Sequence, residues 1–256
     1  MCIRDRPTWL IGSIGIVMVA GHNLLDGIRS TNPLWTILHA QGFLLNTPAH
    51  VIFVAYPLIP WVGVTAIGFA LGRIYTWDGD RRRAWLLTLG LAMSGGFIVL
   101  RAINLYGDPS HWKQQTTTVF TLLSFLNATK QPPSLLFLLM TLGPALLFLR
   151  VVDRGTPAML RPALVLGRVP LFYYVGHFML IHALAVLVCV VRFGTAHWMF
   201  ESPDLGNYPF TPPPGWGFSL PTVYAVWFLV VVSMFPLCRW FATLKQRRRD
   251  PWLSYV

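Results

Sequence analysis

The chain has 256 residues, of which 55% are apolar and only 11% charged, with a formal net charge of +11. An ordinary soluble domain carries about 25% charged residues, so this composition cannot dress a water-facing surface. Intrinsic disorder, coiled coil, collagen and a disulfide scaffold are excluded by the same figures. Residues 7–25, 30–72, 84–100, 131–149, 169–191 and 205–238 contain no Asp, Glu, Lys or Arg. Crossing hydrocarbon takes about 20 mostly apolar helical residues, and irregular backbone cannot face lipid. The six gaps predict an all-α, polytopic membrane helix bundle with about six transmembrane helices and long outer loops.

In chain order, residues 1–6, MCIRDR, show no signal-peptide pattern. They resemble a translated sequencing adapter and are expected to be a non-native leader, with 7–256 the C-terminal portion of a single domain. Helix 1 is expected at 8–25, helix 2 at 50–73, helix 3 at 84–106, helix 4 at 133–152, helix 5 at 168–193 and helix 6 at 219–242. Pro57 and Pro60 are expected to kink helix 2. Between helices 1 and 2, NPLWTILHAQGFLLN is too short to span and is expected to lie in the interface or re-enter the bundle. TTTVFTLLSFLNAT predicts another short helix, and YPFTPPPGWGFSLP supplies aromatics suited to the headgroup layer. Of the three cysteines, Cys2, Cys189 and Cys238, none shows metal or disulfide spacing, and buried thiols are expected.

The basic residues alternate in side. Arg73 and Arg81 to Arg83, then Arg150, Arg154, Arg161 and Arg168, then Arg239, Lys245 and Arg247 to Arg249 fall on one side, thirteen of the 20. The other connections hold Arg29, Arg101, Lys113, Lys130 and Arg192. By the positive-inside rule this predicts a multi-pass protein of a bacterial inner membrane with a cytoplasmic C-terminus. The net charge thereby reads as topology, and the expected partner is the lipid bilayer rather than nucleic acid. An oligomer is compatible with this composition.

Ionisable groups at membrane depth are functional candidates. In GHNLLD, His22 and Asp26 stand at i,i+4, on one face of a helix. A carboxylate that takes one ring proton orients an imidazole and raises its basicity, as a general base requires; the alternative is a polar pair capping the helix end. In PLFYYVGHFMLIHALA, His177 falls near the midplane, with Tyr173 and Tyr174 one turn before it. His182 is five positions on, turned by about 140°, so the two rings do not share a face and do not make a metal pair. Both could instead be interhelical hydrogen-bonding residues. Arg101 and Asn104, in LRAINLYGDP, and Lys130, in LNATKQPPS, are candidates for binding a phosphate or carboxylate; snorkelling to the headgroups is the alternative. No phosphate loop, dinucleotide fingerprint, serine elbow or metal site is visible. The scarcity of Asp and Glu in the spans argues against a pump built on intramembrane carboxylates.

YPLIPWVGVTAIGFALG, RAINLYGDPSHW, SFLNATKQPPSLLFLLMTLGPALLF, VPLFYYVGHFMLIHALA and the closing KQRRRDPWLSYV resemble bacterial membrane proteins grouped with the heparan-alpha-glucosaminide N-acetyltransferase catalytic domain, over about residues 9–256. The resemblance implies a membrane acyltransferase. It would take acetyl-CoA as co-substrate from the inside, need no metal, and acylate an amino sugar or glycan met on the outside. Arg81 to Arg83 could then attract the CoA phosphates. It also implies that the family's active His lies ahead of the matched region, so that these residues alone would be inactive. His22, Asp26 and His177 remain catalytic candidates, and Arg101, Asn104, Lys130, Tyr174 and His182 substrate-binding candidates. The rival expectation is a non-enzymatic transporter or flippase of a polar or lipid-linked solute, with broken helices around a midplane site. A structural membrane subunit would show no polar cavity.

Overall fold

The computed structural model describes residues 7–47, 50–200 and 214–248. The proposed leader 1–6, the tail beyond Arg248, Cys2 and much of the aromatic YPFTPPP stretch lie outside the described residues. Six helices are long and apolar enough to cross a membrane: Thr8–Leu25, Leu58–Thr76, Gly79–Ile103, Leu135–Val152, Pro170–Phe193 and Leu220–Arg247. Most of their apolar side chains point outward rather than into a core. Val17 is 71% exposed and Val191 78%, with Ile98, Phe178 and Trp227 also exposed. Contiguous apolar surface of this kind is untenable in water and ordinary in lipid. The chain is a multi-pass, helical membrane protein.

It divides into two units, residues 1–155 and 156–256. In the first, α1 (Thr8–Gly21) continues as a 3-10 turn over His22–Leu25, and α2 (Pro33–Leu38) is a short helix capped by the Asn32 side chain. Strands β1 (Gly42–Asn46) and β2 (Val51–Val54) form an antiparallel hairpin, pairing Phe43 with Phe53 and Asn46 with Val51, with a bulge between Phe43 and Leu45. Then come α3 (Leu58–Leu71), α4 (Gly79–Ile103), α5 (Thr118–Leu126) and α6 (Leu135–Val152). The second unit holds α7 (Arg161–Arg168), α8 (Pro170–Phe193) and α9 (Leu220–Arg247).

Two expectations are corrected. Helix 2 does not begin at residue 50. Residues 51–54 are extended in the hairpin, and the helix starts after Pro57, its N-terminal flanking residue. Pro57 and Pro60 therefore start this helix rather than kink it. Proline at a first turn gives up no internal hydrogen bond, because those N–H groups have no helical partner. Helix 3 starts five residues earlier than the apolar run, because Asp78 accepts from the backbone N–H of Asp80 and Arg81 and nucleates the turn ahead of the arginines.

Within the first unit the helices pack in two pairs through glycine. Between α1 and α3, a Cβ built on Gly15 would stand 2.7 Å from the Gly63 carbonyl oxygen, and one on Gly12 would stand 2.9 Å from the Ala70 methyl. Between α4 and α6, a Cβ on Gly143 would lie 2.5 Å from Ser94 Oγ and 2.8 Å from its backbone nitrogen. Lipid supplies no hydrophobic drive for helix association, so such close backbone approach is the main source of attraction. In the second unit, Val230, Met234, Cys238 and Phe241 of α9 form a buried row, with Phe172 of α8 stacked on Phe241 at 4.4 Å. Gly143→Val should separate α4 from α6 and destabilise the chain by about 1–3 kcal/mol. Thermal unfolding in detergent checks this, and an unchanged midpoint would show that the pair does not depend on close approach.

Candidate functional site

At one end of the first unit, the end of α1 and the start of α6 meet a long connection, residues 104–134. Buried polar groups concentrate there. His22, 1% exposed, donates from Nε2 to the Pro133 carbonyl at 3.0 Å, which leaves Nδ1 as the lone-pair nitrogen. That Nδ1 is buried and has no hydrogen-bond partner among the described residues. His39, buried at the end of α2, donates from Nε2 to the His22 carbonyl at 2.8 Å and lies 3.6 Å from Asp26 Oδ1. Trp35 stacks on the His39 ring at 4.9 Å and fixes its plane. Asn23 bridges the group: its Nδ2 donates to Asp26 Oδ2 at 2.7 Å and its Oδ1 accepts from Leu135 N–H at 2.9 Å. Tyr106 donates its hydroxyl to the Ala20 carbonyl. Burial, reinforced by the nearby Asp26 charge, raises the Tyr106 phenol above its ordinary range, so it stays a protonated donor. One ligating atom from each of His22, Asp26 and His39 lies within 4.8 Å of the others.

The sequence reading pairs His22 with Asp26, and the structure gathers them into one cluster. It also adds His39, which that reading missed. The only local signal was a histidine closing the short apolar piece NPLWTILH, and nothing in its spacing points across 17 residues to His22.

Arg101 is 1% exposed and turned into the protein. Its Nε donates to the Phe125 carbonyl, Nη1 to Ser110, and Nη2 to Ser124 and Asn127, at 2.7–3.2 Å. Asn104, in the left-handed conformation (φ 58°), binds the Trp112 backbone through both its amide oxygen and its amide nitrogen. These two candidates organise the 104–134 connection, and their polar atoms are engaged with backbone. Lys130 is exposed and makes no contact with a partner among the described residues. His177 and Tyr174 belong to the second unit. There the half-buried His177 bonds through Nδ1 to the Tyr173 carbonyl at 2.8 Å, stacks on the Tyr173 ring at 5.0 Å, and meets Tyr174 edge-on at 5.6 Å. His182 is exposed on α8 and meets Phe200 edge-on.

At the opposite end of the first unit the charges pair. Arg82 forks onto Asp153, Nε to Oδ1 at 2.8 Å and Nη2 to Oδ2 at 3.0 Å, and Arg83 bridges Asp153 at 3.3 Å and Asp80 at 2.5 Å. Arg81 lies over the Trp77 ring at 4.4 Å. Of the described cysteines, Cys189 and Cys238 are buried free thiols, and Cys189 accepts from Trp198 Nε1.

Fold and site together define a polytopic helical membrane protein with a cluster of two buried histidines and a partly buried aspartate at one end of its first unit. No protein-family model matches the chain, and neither a curated protein nor a solved structure is significantly similar to it.

Hydrogen bonds from Arg82 and Arg83 hold the Asp153 carboxyl below the usual carboxylate range. A carboxyl depressed in the folded state stabilises above its unfolded pKa, about 3.9 for Asp. That stabilisation is lost as pH falls through the lower folded value. Asp153→Asn should therefore melt below wild type at neutral pH, with the difference vanishing in acid. Thermal melts across pH read this directly, and a gap that persists unchanged in acid would contradict it.

Proposed function

We propose that the chain is an integral-membrane acyltransferase. It resembles the heparan-alpha-glucosaminide N-acetyltransferase catalytic domain and transfers an acetyl group from acetyl-CoA to the amine or hydroxyl of an amino sugar or glycan. The observation that supports this best is the buried Nδ1 of His22, a lone pair with no partner among the described residues, beside Asp26 and His39. Acyl transfer needs such a base. Nδ1 takes the acceptor's proton, the acceptor attacks the thioester carbonyl, the C–S bond breaks and the CoA thiolate leaves. Asp26 favours the imidazolium formed at that step, and the Pro133 carbonyl holds the ring in the tautomer that presents Nδ1. His177, its Nδ1 occupied and its Nε2 without a hydrogen bond among the described residues, is the corresponding candidate of the second unit.

The assay is acetyl transfer in nanodiscs, with acetyl-CoA and a panel of amino sugars and glycans. It is run on the full chain. His22→Gln should lower turnover by about 10²–10⁴-fold, while His111→Gln, at an exposed site of the same connection, leaves it unchanged. Absence of both acetyl-CoA binding and transfer overturns the reading and favours a transporter.

The membrane is proposed to be a bacterial inner membrane, with the arginine-rich end of the first unit cytoplasmic. A fluorescent reporter fused after Val256 should then fold and emit in the cytoplasm. A fusion active only outside would invert the topology.

A further inference from the structure

A second site lies at the arginine-rich end of the first unit, away from the His22 cluster. A pocket of about 460 Å³ opens between the start of α4 and the end of α6. Its charged lining is Arg83, Arg150 and Arg154 against a single carboxylate, Asp80. The three arginines differ in what they already hold. Arg83 is fixed by Asp80 and Asp153. Arg150 and Arg154 have no carboxylate and no hydrogen-bond acceptor among the described residues, and Asp153, between them in sequence, is occupied by Arg82 and Arg83. Arg150 and Arg154 thus line one cavity with no bonding partner for their guanidinium groups among the described residues. Ala84, Leu87 and Val151 give the same cavity an apolar wall.

Guanidinium forks match the geometry of phosphate oxygens, and basic pockets between membrane helices take phosphorylated headgroups. The geometry points to a phosphate-binding site in which Arg150 and Arg154 hold the phosphate and Arg83 lines its floor. The phosphate comes from an anionic glycerophospholipid, whose glycerol and acyl carbons suit the Ala84–Leu87–Val151 wall, or from a soluble phosphate ester. This site does not depend on the acyl-transfer reading, because it stands on the pocket alone.

The full chain is placed in nanodiscs containing phosphatidylglycerol and phosphatidylcholine, and the lipid kept after delipidation is counted by native mass spectrometry. A parallel arm titrates inorganic pyrophosphate in pure phosphatidylcholine discs and follows ³¹P line broadening. The variants are R150Q/R154Q, each single substitution, and R161Q/R168Q, which removes the same charge from the second unit. Each nearby basic residue is worth about 1 kcal/mol toward an anionic headgroup, so single variants should weaken the phosphatidylglycerol preference about fivefold and the double variant about thirtyfold. Loss in the Arg150 and Arg154 variants but not in R161Q/R168Q in the lipid arm establishes a headgroup site. The same pattern in the pyrophosphate arm, without lipid preference, establishes a soluble phosphate site. If neither arm responds to R150Q/R154Q, or R161Q/R168Q matches it, the proposal is overturned. Both arginines are exposed, and melting temperatures of all variants confirm that folding is retained.

Discussion

The His22 cluster depends on a buried cation that has no carboxylate partner among the described residues. Arg101 spends its donors on four backbone carbonyls of the 104–134 connection, and Asp108 supplies the complementary knot. Asp108 accepts from the backbone N–H of Ser110 and Thr129 and from the hydroxyls of Thr129 and Ser134. A buried charge is tolerable only when hydrogen bonds replace its hydration, and here those bonds are also what shapes the loop. Ser134, anchored by Asp108, caps α6 by accepting from Phe137 N–H. That fixes the residue before it, Pro133, whose carbonyl sets the His22 tautomer. The hydrogen bond that orients the His22 ring is therefore traceable to two charged side chains that never touch it.

The helices beneath this knot are held differently. Between α1 and α3, and between α4 and α6, glycine lets backbones meet, and the exposed apolar faces are left to lipid. Polar groups inside the helices are few, so the pairs gain little from side-chain hydrogen bonds. The knot of the connection and the glycine seams are complementary devices. One orders irregular chain where water or headgroups can reach it, and the other orders regular chain where they cannot.

The spans were legible because membrane helices announce themselves by what is missing. An apolar, charge-free gap longer than about 17 residues is the mark of a helix that crosses hydrocarbon. The hairpin was not legible because its strands are too short to leave such a mark. GFLLN and VIFV are brief apolar runs, which read alike as strand or as the edge of a helix. Pro57 was visible, but whether a proline starts or kinks a helix depends on where the preceding residues go. At the site, the local pair His22 and Asp26 could be read from spacing. His39 could not, since its place is set by a tertiary turn. Arg101 was conspicuous as a charge near an apolar run, yet its partners are carbonyls, which every residue carries and no sequence pattern marks.

The same asymmetry governs the arginines. Counting them along the chain separates two sides of a membrane but says nothing about which of them act. Pairing does. Arg82 and Arg83 are spent on Asp153 and Asp80, and Arg81 rests on Trp77, so the cluster with the highest local charge in this unit is largely neutralised or covered. Arg150 and Arg154, less conspicuous in the sequence because an aspartate stands between them, have no bonding partner among the described residues, and that aspartate serves Arg82 and Arg83 instead. In a protein with so few charges, a basic residue becomes available to a ligand only when the fold has assigned its acidic neighbour elsewhere.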